Sequence, residues 1–320
     1  MRLTRIDNLD LNLFEFDYDL TFMVFFLNAE GKVYARYGGR DGESPDRRQS
    51  LAGLRYTMES VLRTHAGAEK AFAPRSQEAP RFIREVAGAR RGGGCMHCHQ
   101  VKEVLNAELQ REGKWARDRV WRYPLPENLG FELRVDRGNV VKEVKAKSPA
   151  SVAGLRAGDV VRRLNGVPVH SLADAQFALD RAAKAGSVEI VWQRDDKVLK
   201  DRLSLADGWR KTDISWRPSL QRLVPSARLY GIDLTAAEKK ALGLSAEQLA
   251  FRQKDPASSQ AEAAGIRPGD IILGVDDRAL ELSMAGFLRY VERSYLVGDR
   301  VTVNVLRDGK RLNLPMTLRR

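Results

Sequence analysis

The sequence predicts an α+β fold, with a partial sheet-and-helix unit, a helical connector and two copies of one repeated domain. Three observations predict it. The chain opens with a strand–turn–strand–helix pattern, its two cysteines lie in one short motif, and its second half repeats with a period of about 110 residues. Apolar residues make up 43% of the chain and charged residues 30%, which is typical of a folded rather than a disordered protein.

Composition and charge exclude two classes of protein. The longest apolar run, Leu20 to Leu27, is far too short to cross a bilayer. Lys and Arg total 54 against 42 Asp and Glu, which gives a net charge of +12. These charges are spread along the chain, with no run of five like charges and no basic stripe interleaved with aromatic residues. We therefore expect no membrane span and no nucleic-acid partner.

The first element is a strand pair followed by a helix. Leu20 to Leu27 reads as a buried strand, Asn28 to Lys32 as a hairpin turn and Val33 to Tyr37 as a second strand. Arg48 to Thr64 has the apolar spacing of an amphipathic helix, with apolar residues at Leu51, Leu54, Met58, Val61 and Leu62.

The second element carries the only two cysteines. Cys95 and Cys98 are followed at once by His99, which is the CxxCH attachment pattern for c-type haem. The two thiols can each add to a haem vinyl group, and the imidazole of His99 can then ligate the iron. The pattern therefore predicts a covalent haem c, whose second axial ligand the sequence does not identify. The alternatives are a redox-active dithiol, a zinc site with a nearby histidine, and two inert thiols.

The third and fourth elements are the two copies of the repeat. Ser148-Pro149-Ala150 leads to an Ala-Gly pair and then to Gly158-Asp159, which turns into a Val strand. Asp255-Pro256-Ala257 leads in the same way to Gly269-Asp270 and an Ile strand. In each copy the proline starts a short helix and the Gly-Asp pair makes the turn into a buried strand.

These repeats strongly resemble the bacterial PDZ domains that are appended to high-temperature-requirement proteases, from about Tyr123 to Arg320. The resemblance implies that a loop of backbone N–H groups receives a peptide's terminal carboxylate while the peptide adds as an extra strand. The loops would be Leu129-Gly130-Phe131 and Tyr230-Gly231-Ile232, and the facing helices would begin at the N-caps Ser171 and Ser283. The alternative is that one or both grooves only support the fold. The sequence contains no GxSxG motif, and we can assemble no set of Ser, His and Asp residues that would indicate a protease.

The opening segment FFLNAEGKVYARYGG looks like the strand pair of the thioredoxin family, although Leu20 stands where that family has a cis-proline. The whole order resembles a planctomycete-type thioredoxin–PDZ family that includes selenocysteine-containing members. The resemblance implies that the first half of a thioredoxin fold is missing. We therefore expect the chain to be a fragment, with the missing half and an export signal encoded upstream of Met1.

The sequence thus predicts four segments. They are a C-terminal part of a thioredoxin-like domain (1–66), a helical connector with the CxxCH motif (67–122), a first PDZ domain (123–207) and a linker with a second PDZ domain (208–320). The predicted function is that of a redox-associated protein of the bacterial envelope, which carries haem c and recruits protein C-termini. The alternatives are a thiol–disulfide oxidoreductase that uses Cys95 and Cys98, and a non-catalytic PDZ adaptor. The redox partner is not identified.

Overall fold

The computed structural model describes residues 6–67, 71–74, 78–89 and 96–320. The chain divides into two compact units, one that runs to Thr212 and one from Asp213 to Arg320. No helix in these described ranges is both long and apolar enough to cross a membrane.

The first unit opens with the predicted hairpin. Strand β1 (Val24–Leu27) pairs antiparallel with β2 (Val33–Tyr37), and the Asn28 side chain accepts hydrogen bonds from the N–H groups of Glu30 and Lys32 in the turn. Helix α1 (Leu51–Ala66) follows, with Ser50 as its N-cap. The order strand, turn, strand, helix is therefore confirmed. A thioredoxin-like sheet is not, because β1 and β2 form a sheet of only two strands within the described part of the chain.

Helix α1 presents an unexpected face to the protein. An amphipathic helix normally turns its apolar stripe to the core. Here Leu51, Met58 and Leu62 are exposed, and the buried residues are Gly53, Thr57, Ser60 and Val61. The reason is a close approach of main chains, because a Cβ atom on Gly53 would lie only 2.3 Å from the Val135 carbonyl oxygen. Small side chains are needed on that face, so Leu51, Met58 and Leu62 point outward, while Val61 of the same predicted stripe is buried.

Helix α2 (Cys98–Arg111) lies in the segment predicted as a connector, between single 3-10 turns at Ile83–Glu85 and Arg117–Trp121. Its Val101 is fully buried in a cluster with side chains from the start of the chain. Its Lys102 forms a buried ion pair with Asp19, with 2.7 Å between Nζ and Oδ2. The helix is therefore anchored within the first unit.

The rest of the first unit contains the first repeat. A 3-10 turn (Pro126–Leu129) leads into two sheets, β3–β4 and β6–β5–β7–β8. The elements are β3 (Phe131–Leu133), β4 (Val141–Val144), α3 (Pro149–Val152), β5 (Val160–Leu164), β6 (Val167–Pro168), α4 (Leu172–Asp180), β7 (Gly186–Arg194) and β8 (Lys197–Leu205).

The second unit contains the second repeat, built around one five-stranded sheet in the order β13–β12–β11–β10–β9. A 3-10 turn at Pro218–Leu220 precedes it. The elements are β9 (Gly231–Asp233), α5 (Ala236–Ala241), β10 (Phe251–Gln253), α6 (Ser259–Ala263), β11 (Ile271–Val275), α7 (Met284–Ser294), β12 (Arg300–Arg307) and β13 (Lys310–Thr317).

One buried ion pair explains the Gly-Asp signature of both repeats. In the first, the carboxylate of Asp159 accepts a hydrogen bond from the Arg156 N–H at 2.8 Å and two from the Arg194 guanidinium at 2.7 Å each. In the second, Asp270 is bound by Arg307 with the same two distances of 2.7 Å. Each arginine also donates to the carbonyl of the Ala-Gly pair's glycine. The aspartate thus fastens the short helix, the turn and the hairpin strand to one another.

Candidate peptide-binding grooves

Groove 2 lies in the second unit between strand β9 and helix α7. Strand β9 is an outer strand of its sheet. On its inner side, Tyr230 accepts a hydrogen bond from the Lys254 N–H at 2.7 Å, and the Leu234 N–H donates to Ala250 at 3.0 Å. Main-chain groups alternate in direction along an antiparallel strand, so those of Gly231 and Asp233 point to the other side, towards α7.

The loop at the start of groove 2 is open to solvent. Tyr230 is 45% exposed and Ile232 is 73% exposed. Leu229, which precedes them, is fully buried and anchors the loop in the core of the domain. An incoming peptide could therefore reach β9, and the buried Leu229 side chain would hold that strand in position.

The opposite wall of groove 2 is apolar. Phe287 and Val291 of α7 are buried against the core, and Met284 and Leu288 are half-buried beside it. Met284 and Leu288 are four residues apart and so lie on one face of the helix. Ser283 is the N-cap and its side chain accepts a hydrogen bond from Gly286, as the sequence predicts. This wall offers aliphatic contact to a peptide side chain.

Met284 also bridges the two walls of groove 2. Its sulfur Sδ accepts a hydrogen bond from the Gly231 N–H at 3.1 Å, and its own main-chain N–H donates to Oδ1 of Asp233 at 2.7 Å. The first contact occupies a donor that faces the groove. The second satisfies one of the free N–H groups at the start of α7.

Groove 1, the corresponding groove of the first repeat, is closed. Leu129 and Phe131 are each only 1% exposed. The residues of helix α4 from Leu172 to Leu179 are all buried. Burial on every side of a helix means that something packs on the face that a peptide would use.

Strand β2 of the N-terminal hairpin packs against α4. The Arg36 N–H donates to Oδ1 of Asp174 at 2.8 Å, and the Ser171 hydroxyl donates to the Arg36 carbonyl. The Arg36 guanidinium carbon lies 3.6 Å from the centre of the Phe177 ring. These contacts give β2 a fixed position along α4.

The segment between β2 and α1 reaches the loop of groove 1. Arg48 donates to Oδ2 of Asp41 at 2.6 Å and forms a second, shorter ion pair with Glu127, which lies just before the loop. The same guanidinium is 3.9 Å from Glu132 of β3. Gly39 packs against Leu172 at the start of α4. Contacts from residues 36–48 therefore reach both walls of groove 1.

Electrostatics at this contact follow from burial. Burial raises the pKa of Asp174 to about 7, against the opposing effect of the Arg36 guanidinium and of three N–H donors. Burial lowers the pKa of His170 to about 4. The ring nitrogen Nδ1 of His170 lies 2.8 Å from the Ser60 hydroxyl of α1. The imidazole is therefore neutral at pH 7 and ties α1 to the first repeat.

The two predicted carboxylate loops are not equivalent in the structure. Lys145 donates its N–H to the Gly130 carbonyl, and Lys254 donates to the Tyr230 carbonyl. Gly130 and Tyr230 are therefore structurally equivalent. The sequence motifs pair Gly130 with Gly231, so the alignment of the two loops that they predict is wrong by one residue. The Gly130 N–H, at φ +88°, donates to the Glu127 carbonyl, and the Gly231 N–H, which corresponds to that of Phe131, faces groove 2.

The structure describes only part of the CxxCH motif, because Cys95 lies outside the described residues. Cys98 is the first residue of α2, and burial raises the pKa of its thiol, which is opposite to the shift of a reactive thiolate. His99 is half-buried, with its Nδ1 3.1 Å from the Glu103 carboxylate and its ring stacked on His97. Among the described residues, no three or more His, Cys, Asp and Glu are placed to hold a metal ion. The covalent haem at Cys95, Cys98 and His99 stays a prediction.

Comparison with known proteins identifies the repeats. Residues 140–194 and 241–318 match two family models, each described as a PDZ domain. The chain therefore contains two tandem PDZ domains, as the sequence predicts.

The chain is also similar to whole proteins that have been curated. A probable periplasmic serine endoprotease, DegP-like, of Pseudomonas fulva (strain 12-X) is 30% identical over 191 residues, which is 58% of this chain and 38% of that protein. The periplasmic pH-dependent serine endoprotease DegQ of Escherichia coli (strain K12) is 29% identical over 146 residues, 46% of this chain and 30% of that protein. The chain spans less than half the length of these relatives.

Two solved structures give partial superpositions. The HtrA-type protease AlgW with decapeptide is 23% identical, with a TM-score of 0.25, over 30% of this chain and 29% of that chain. The serine endoprotease from Yersinia pestis is 17% identical, with a TM-score of 0.23, over 34% of this chain and 36% of that chain.

The comparisons overturn the predicted function. A haem-linked redox role is wrong, since the similar proteins are periplasmic serine endoproteases of the DegP type that match 46% to 58% of this chain. They also give no support to the thioredoxin-like, planctomycete-type resemblance of the first half. The redox prediction rested on one five-residue motif and on the resemblance of a single strand pair to the thioredoxin family, whereas the PDZ prediction rested on two long repeats. The adaptor alternative fits the comparisons better.

Proposed function

We propose that this chain is a peptide-binding adaptor of the bacterial envelope, in which groove 2 binds the free C-termini of other proteins and groove 1 is a structural dock for the N-terminal segment. One observation carries the proposal. Residues Leu172 to Leu179 of α4 are all buried, with β2 packed against that helix, whereas Met284 and Leu288 of α7 are only half-buried and Ile232 of β9 is 73% exposed. The two PDZ domains therefore differ in access.

Strand addition supplies the binding chemistry in groove 2. Within the described ranges, no strand pairs with the outer edge of β9, and an extended peptide can pair with the main-chain groups there. The face of α7 that carries Met284 and Leu288 would contact alternate side chains of that peptide. A terminal carboxylate would accept a charge-assisted hydrogen bond from the loop, which is about twice as strong as a neutral one.

The relatives support the proposed location, and the two PDZ domains support the proposed class of partner. The similar endoproteases are named as periplasmic, which supports the bacterial envelope for this chain too. The partners in this proposal are proteins with accessible C-termini. The matched part of each relative is less than half of it, and the role proposed here is recognition rather than catalysis.

A peptide-binding experiment tests the proposal. A library of fluorescent peptides with free C-termini is titrated into the full chain, and the tightest binder is compared with its C-terminal amide. We expect micromolar affinity, which weakens about tenfold on amidation because the charged acceptor is lost. Equal affinity of acid and amide, or no binder at all, contradicts the proposal.

A matched pair of variants locates the site. Leu288→Gln places an amide on the α7 wall of groove 2, whereas Leu242→Gln makes the same change at an exposed site outside it. We expect about tenfold weaker binding for the first, from the loss of one apolar contact surface, and no change for the second. Equal effects of the two variants would mean that the peptide binds elsewhere.

A further inference from the structure

Groove 2 already has an internal occupant at its loop. The Met284 sulfur accepts the Gly231 N–H at 3.1 Å, in the position where strand direction places a donor for the ligand. A thioether is a weak acceptor, so this hydrogen bond is weaker than one to a carboxylate oxygen. The contact is therefore one that a better acceptor can replace.

The backbone around this contact is fixed on both sides. A Cβ atom at position 231 would lie 2.1 Å from the Arg252 carbonyl oxygen, so only glycine fits on this strand. On the helix side, Asp233 accepts the Met284 N–H at 2.7 Å and holds the first turn of α7 beside β9. The strand and the helix can thus stay in place while the Met284 side chain moves about its three rotatable bonds.

We propose that Met284 is the gating residue of groove 2: its thioether occupies the donor that a ligand's terminal carboxylate uses, and the ligand must displace it. This inference rests on the proposed function of groove 2. It also names the class of ligand that passes the gate. A terminal carboxylate replaces a weak acceptor by a charged one, whereas a neutral main-chain carbonyl gains much less from the same exchange.

The first repeat has no such gate. Leu172 takes the place of Met284 as the first residue after the N-cap, and a leucine side chain has no acceptor atom. The gate is therefore a property of groove 2 and of the residue at position 284.

The test uses the full chain with two substitutions and one control. Met284→Ala removes the thioether and opens the space, Met284→Leu keeps most of the volume without a sulfur acceptor, and Met58→Ala alters an exposed methionine of α1. The first readout is hydrogen exchange and the NMR shift of the Gly231 amide without peptide. We expect faster exchange and a shifted amide in both position-284 variants and none in the control. An unchanged Gly231 amide in both overturns the inference whether or not any peptide binds.

The second readout is the affinity for the tightest free-acid peptide. We expect Met284→Leu, which keeps the aliphatic wall of α7 and lacks the sulfur acceptor, to bind two- to tenfold more tightly than the unmodified chain, the range of one net hydrogen bond. Unchanged or weaker binding by Met284→Leu, alongside clear binding by the unmodified chain, overturns the gate and leaves the proposed function standing. Failure of every protein to bind overturns the proposed function and the gate with it, while the amide readout still decides whether the Met284 thioether occupies the Gly231 N–H.

Discussion

Arg36 of the N-terminal hairpin donates its main-chain N–H to the buried carboxylate of Asp174, 138 residues further along the chain, at 2.8 Å. Asp174 belongs to α4, the helix that would face a peptide in the first PDZ domain. The same carboxylate also accepts the N–H groups of His170 and Ser171. One side chain thus caps its own helix and fastens the strand that closes groove 1.

Asp174→Ala is predicted to destabilise the first unit. The change leaves buried N–H donors without an acceptor, at about 1 to 3 kcal/mol each, so we expect a loss of at least about 2 kcal/mol. Urea unfolding followed by fluorescence measures the free energy of unfolding. Asp196→Ala, at an exposed turn, is the control. A loss below about 0.5 kcal/mol for Asp174→Ala would show that the contact is incidental.

The paired arginines are predicted to have equal effects in the two repeats. Arg194→Ala and Arg307→Ala each leave a buried aspartate without its charged donor, and we expect each to cost about 2 kcal/mol. Arg156→Ala is the control, because its side chain is exposed and only its main chain touches Asp159. Thermal unfolding of each variant checks the prediction, and a destabilisation of one repeat but not the other would contradict the shared role of the pair.

His170 is predicted to make the first unit less stable in acid. Burial lowers the pKa of its imidazole to about 4, below the ordinary value of about 6.5 that applies to the unfolded chain. As the pH falls from about 6.5 to about 4, the unfolded state binds a proton that the folded state does not, so stability falls.

The size of that loss can be isolated with a variant. Between pH 7 and pH 4.5 we expect the unmodified chain to lose about 2 to 3 kcal/mol more than His170→Gln. Asp174 is present in both proteins, so its own titration cancels in the difference. Parallel stability–pH curves for His170→Gln and the unmodified chain would refute the prediction.

Local signals predicted much of this fold. Asn28 and Gly31 predicted the hairpin turn, Ser171 and Ser283 predicted two helix starts, and the Gly-Asp pairs predicted the strand entries. Each of these turns and helix starts is determined by residues within a few positions of it, so a local sequence pattern is enough to predict it.

Long-range packing could not be predicted in the same way. The bond from Arg36 to Asp174 joins residues 138 positions apart, and no local pattern marks either as a partner of the other. Leu51, Met58 and Leu62 of α1 are exposed rather than buried because Gly53 packs main chain against main chain, which hydrophobic periodicity does not describe. The gate at Met284 was missed because a methionine at the start of a helix ordinarily reads as a core residue.

The central claim is that only groove 2 is accessible to a peptide, and NMR mapping with a saturating free-acid peptide tests it most directly. The account predicts one bound peptide per chain, with amide shifts that change along Leu229 to Leu234 and along α7, and that stay unchanged along β3 and α4. A second bound peptide, or shifts centred on Phe131 and α4, would contradict it.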